Sequence, residues 1–137
     1  MSHQIIDTGN YKYILANHHR SRQNHNKSRW TINQNEEFSC FERMMNNSWV
    51  NNNVKGWSLH RVNGQNLVLG VSTRDEEVKI AKFVDSANIT EWHGYPVDYR
   101  LSIHDKPDIK IIRDWFDKGY ITKSQMRKIS QGQGCDI

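Results

Sequence analysis

Residues 57–85 read WSLHRVNGQNLVLGVSTRDEEVKIAKFVD, and this stretch decides the fold class. The runs WSLHRV, LVLGVST and VKIAKFVD are rich in β-branched and aliphatic residues, and turn signals separate them: Asn63-Gly64 and then the charged RDEE. Asn-Gly is the strongest short hairpin signal, because both residues tolerate the positive φ angles of a tight hairpin turn. Connections this short cannot make the crossover that a parallel pair requires, so the stretch predicts an antiparallel meander. Gly70, inside the middle run, marks a bulge or the close approach of another backbone.

On both sides of the meander the apolar spacing becomes helical. Phe38, Phe41, Met44/Met45 and Trp49 recur at three- and four-residue steps behind Glu36 and Glu37, which predicts an amphipathic helix over about 36–48. Its aromatic stripe reads as core rather than as a ligand groove. Over 107–131, Pro107 suits a first turn, Ile109, Ile112, Trp115 and Phe116 form one apolar face, and Gly119 ends the helix. Thr122 and Gln125 then stand in capping-box register and open a second short helix carrying Met126 and Ile129. This helical hairpin resembles the first half of a helix-turn-helix but lacks the recognition helix that base readout needs, which disfavours sequence-specific DNA reading. Upstream, Tyr11 to Leu15 has strand composition.

These elements predict one α+β domain over residues 1–137. A three- to four-stranded antiparallel meander would be covered by the amphipathic helix and the C-terminal helical hairpin. Both would lie on one sheet face, packing Phe38, Phe41, Trp115 and Phe116 against Leu67, Leu69, Val71 and Ile80. The opposite face would be open to a partner.

Charge locates the first candidate site. The net +4 lies wholly in residues 1–35, where Lys12, Arg20, Arg22, Lys27 and Arg29 face only Asp7. Residues 17–30, NHHRSRQNHNKSRW, have no aliphatic side chain to bury and read as an exposed basic arm. Arg20, Arg22, Lys27 and Arg29 would pair with phosphates and Trp30 would stack on a base, a composition that suits RNA better than duplex DNA. The alternative reading of the arm is a solvated loop that aids solubility. His18 or His19 with His25 lacks the further ligands a metal site requires, so no metal is predicted.

The second candidate is TEWHGYPVDY, residues 90–99, read as a stiff aromatic corner. If Glu91 to His93 is extended, both side chains point the same way, and the carboxylate orients the imidazole for proton transfer. Tyr95 offers a hydroxyl, and His60 on the first strand of the meander is a further titratable group. With a cation from the arm, these are the groups that RNA transesterification uses. The competing reading is structural, with Trp92 buried, Gly94 and Pro96 shaping a turn, and His93 bonded to a nearby carbonyl.

Other chemistries lack their motifs. No GxSxG, GxGxxG or GxxxxGK[ST] occurs, and Cys40 and Cys135 form neither a CxxC pair nor the framework of a disulfide-rich fold. No cofactor is expected. The absence of a long apolar run or a signal-peptide layout predicts a soluble, cytoplasmic protein that does not engage a membrane. The leading expectation is a small RNA-leaning nucleic-acid-binding protein that uses the basic arm. The alternatives are a metal-independent ribonuclease-like toxin or effector using His93 with Glu91, Tyr95 or His60, and a protein-binding immunity or regulatory module.

Overall fold

The computed structural model describes residues 3–16, 19–20, 27–85 and 87–137. Arg22, His18 and His25 of the basic arm lie outside the described residues. In chain order the elements are β1 (His3–Asp7), β2 (Lys12–Ala16), β3 (Arg29–Trp30), α1 (Gln34–Asn46), β4 (Val50–Asn51), β5 (Lys55–Val62) and β6 (Gln65–Leu67). They continue with β7 (Gly70–Val71), β8 (Glu77–Val78), β9 (Ile80–Val84), β10 (Glu91–Val97), a 3₁₀ turn (Ile103–Asp105), α2 (Ile109–Asp117) and α3 (Lys123–Ser130).

The α+β class stands, but the sheet is mixed rather than a simple meander. Its order is β1-β2-β10-β9-β5-β4, with β6 paired on β5, and β2 runs parallel to β10. The Asn63-Gly64 hairpin forms as predicted, with Asn63 at φ 52° and Gly64 at φ 77° between the paired residues Val62 and Gln65. The middle run LVLGVST does not stay in register. β6 keeps its last residue at Leu67, while β7 joins β3 and β8 in a separate three-stranded sheet. Gly70 permits the departure, because a Cβ there would stand 2.5 Å from the Arg29 carbonyl oxygen and overlap the Pro96 ring. With the middle run gone, β9 pairs directly with β5.

The segment 90–99 is not a corner. Residues 91–97 form β10, which lies between β2 and β9 in the large sheet. Gly94 serves packing there, since a Cβ would drive into the Phe83 ring and lie 3.0 Å from the Tyr13 hydroxyl.

Register-paired residues share a sheet face, and successive residues alternate between faces. On one face Tyr13, Phe83 and Trp92 surround Phe41 of α1, with ring centroids 4.7, 5.6 and 5.9 Å away. α1 reaches this position through an Asn33–Glu36 capping box and buries Glu37, Cys40, Phe41 and Met44 on one side. On the other face Tyr95, Lys82 and Trp57 align across β10, β9 and β5. Trp57 donates its indole N–H to the Asp105 carbonyl at 3.0 Å and borders a cavity with Ile112 of α2. Secondary structure therefore covers both faces of β5, and the expected open face is absent from it. The predicted contacts shift accordingly: Ile111, Ile112 and Trp115 form the buried side of α2, while Ile109 points outward. The Thr122–Gln125 capping box and the end of α2 near Gly119 (φ 76°) match expectation. Among the described residues, no helix is long and apolar enough to cross a membrane.

Candidate functional site

β10 turns Glu91, His93 and Tyr95 to one side and buries Trp92, Gly94 and Pro96 on the other. Residues from the start and end of the basic arm lie over that first side. His19 stacks on Tyr95 with centroids 5.2 Å apart and planes 15° from parallel. Its Nδ1 is 2.9 Å from the Ser28 carbonyl oxygen, which only accepts, so Nδ1 carries the proton of that bond. His19, Lys27, Ser72, His93, Tyr95 and Asp105 all border a cleft of about 370 Å³. Residues separated by most of the chain thus line one site.

Not every candidate reaches it. Glu91 shares the strand side with His93 but is absent from the cleft lining, at the end of β10 paired with Lys12. His60 alternates with Leu59 and so faces α1, where its Nε2 lies 3.4 Å from Glu36 Oε2. The sheet stands between His60 and His93, so the two do not converge as a catalytic pair.

The arm residues also separate. Arg20 donates to Glu37 Oε1 at 2.5 Å and to the Ile32 carbonyl at 2.7 Å, and Glu37 is almost fully buried. The Glu37 carboxylate also accepts the Tyr13 hydroxyl at 2.5 Å. Arg20 is a structural counterion, because a carboxylate taken out of water needs paired charge and hydrogen bonds. Trp30 is 4% exposed and donates its indole N–H to the Gly94 carbonyl at 3.2 Å, which leaves no ring face for a base. Arg29 stays half-buried, 4.0 Å from the exposed Asp75 carboxylate. Lys27 is exposed at the cleft.

The sequence reading missed Asp98 and Asp105, which also border the cleft. Each has a cation. Burial pushes the Asp98 carboxyl up, but Arg100, donating through Nε at 2.9 Å and through its terminal nitrogen, outweighs it and holds Asp98 below the usual carboxylate range. Asp105 sits 3.6 Å from Lys82 Nζ. Lys82 is itself pulled below the ordinary lysine value, first by burial, with Asp105 opposing and Lys55 adding to the shift. Paired in this way, the two carboxylates repel an incoming anion less than bare ones would.

The phenol of Tyr95 is pushed up to about 12, first by burial and then by the Asp105 charge. It stays protonated at neutral pH and acts as a donor, not as a base. His19 and His93 bring two imidazoles to the cleft, side chains that can both donate and accept hydrogen bonds. Among the described residues, no cluster of three or more His, Cys, Asp or Glu could hold a metal ion. Comparison with protein-family models, with curated proteins and with solved structures found no match.

Proposed function

We propose that this chain binds single-stranded RNA in the cleft between β10 and the ends of the basic segment, rather than along an extended arm. The observation that supports the reading is the shared lining of a cleft of about 370 Å³ by Lys27, His19, His93 and Tyr95. A cleft of a few hundred Å³ suits a nucleotide unit, Lys27 provides a partner for its phosphate, and the imidazoles and phenol provide hydrogen bonds. Labelled single-stranded RNA, followed by anisotropy at about 50 and 200 mM salt, tests it. Lys27→Ser should weaken binding and flatten its salt dependence at unchanged thermal stability. Undiminished affinity would remove the reading. Arg20 is unsuitable for this test because its loss strands buried Glu37.

A second reading, RNA cleavage, is favoured by the presence of both imidazoles and the Tyr95 hydroxyl at one cleft. One imidazole would take the 2′-hydroxyl proton as the 2′-oxygen attacks phosphorus. The P–O5′ bond then breaks, and the second imidazole or Tyr95 returns a proton to the leaving oxygen. Cleavage in EDTA that disappears in His93→Ala, with no more than a partial loss of RNA binding, is the expected result. Binding without turnover in the parent protein would leave the first reading alone.

A further inference from the structure

A different cavity lies where the 3₁₀ turn meets the start of α2, and it shares no lining residue with the RNA cleft. We infer that this cavity is a docking site for an acidic segment of a partner protein that inserts an aliphatic side chain. Ile103 is 77% exposed and Ile109 54% exposed, and both stand on the lining of a concave space of about 500 Å³. Trp57, Pro107 and Ile112, all buried, give it an apolar floor. Large exposed aliphatics beside a concave apolar floor mark an interaction site, with room for an inserted side chain.

The polar lining selects the partner's charge. Lys55, Lys106 and His104 border the cavity, and neither lysine takes part in an ion pair among the described residues. Lys106 donates to the Ser130 carbonyl at 2.9 Å, a neutral partner that fixes the ammonium without cancelling its charge. The acid on the lining, Asp108, caps α2 through Oδ1 and accepts from Asn51 Nδ2 through Oδ2 at 2.9 Å. Carboxylates on the partner complement this field. The exposed isoleucines lack a π face on which a base would stack and the Trp57 ring is 2% exposed, while a flat lipid surface would leave the concave floor unfilled, so a peptide fits better than RNA or a membrane.

The test uses the full chain and a fluorescein-labelled peptide with leucines at positions i and i+4 among glutamates. Saturable binding is expected, weakening with salt and falling about tenfold or more when the peptide's leucines become serine. Ile103→Ser with Ile109→Ser should give a similar fall at unchanged thermal unfolding, and Ile103→Ser alone a smaller one. Lys55→Gln should reduce the salt dependence. No binding, equal binding of the serine peptide, or indifference to both isoleucine changes would each overturn the inference. So would single-stranded RNA or anionic vesicles binding the parent chain in a manner lost on Ile103→Ser with Ile109→Ser. RNA affinity at the β10 cleft, read through Lys27→Ser, is a separate measurement and can fail or succeed independently.

Discussion

Replacing Arg20 by serine should destabilise the fold in a pH-dependent way. Arg20 supplies Glu37 with a 2.5 Å charged hydrogen bond, and Glu37 keeps only the Tyr13 hydroxyl when it is gone. The Glu37 side chain is 3% exposed and Arg20 23%, so solvent screens the pair weakly. Removing one partner of a buried pair typically costs about 3–5 kcal/mol, and protonation of the stranded acid limits the loss here to roughly 2–4 kcal/mol near neutral pH. For a chain of this size that is a fall in Tm of roughly 6–20 °C.

Burial already holds Glu37 above its ordinary value of 4.5, against the lowering effects of Tyr13 and Arg20. The folded state therefore keeps the Glu37 proton to higher pH than the unfolded chain does. Its contribution to stability is fully present below about 4.5 and is lost as pH rises through the folded value. Without Arg20 the folded value climbs further, so the penalty grows with pH. As pH falls toward the ordinary carboxylate range the stranded acid takes up its proton, and the loss should shrink toward about 1 kcal/mol, the value of a neutral hydrogen bond. Urea unfolding at about pH 5 and pH 8, with the double variant Arg20→Ser/Glu37→Gln as rescue, measures this. Equal stability of parent and variant at the higher pH, or a pH-independent loss that the glutamine does not restore, would refute the reasoning.

Gly94→Ala should lower stability by about 1–3 kcal/mol in chemical unfolding, since the new methyl meets the Phe83 ring in the core. Thr122→Ala breaks the capping box that opens α3 and should lower stability by about 1 kcal/mol by the same measurement. Cys40 is fully buried and its thiol is pushed up to about 12, first by burial, so native alkylation followed by mass spectrometry should label Cys135 and reach Cys40 only after unfolding.

Elements that depend on residues within a few positions of one another were legible from the start. The Asn63-Gly64 hairpin and the Thr122–Gln125 cap follow from local geometry, and periodicity gives Phe41 and Met44 of α1, whereas the buried places of Glu37 and Cys40 beside them do not follow from it. The segment 90–99 was misread for a physical reason. Gly94 and Pro96 carry turn signals, yet Gly94 is small because the Phe83 ring, distant in sequence, occupies the space a side chain would fill. Trp30 and Arg20 misled in the same way, since a cation-rich segment reads as solvated until its partners Glu37 and Gly94 are known.

The amino-acid order alone determined the α+β class, the hairpin, the helices of the C-terminal third and the uneven charge, because these rest on short-range sterics and composition. Tertiary structure decided that β2 lies beside β10, that the sheet separates His60 from His93, and that Lys27 and His19 meet Tyr95 at one cleft. Those outcomes depend on which distant strands exchange backbone hydrogen bonds and which rings fill the space between layers. Neighbouring residues carry no record of that choice.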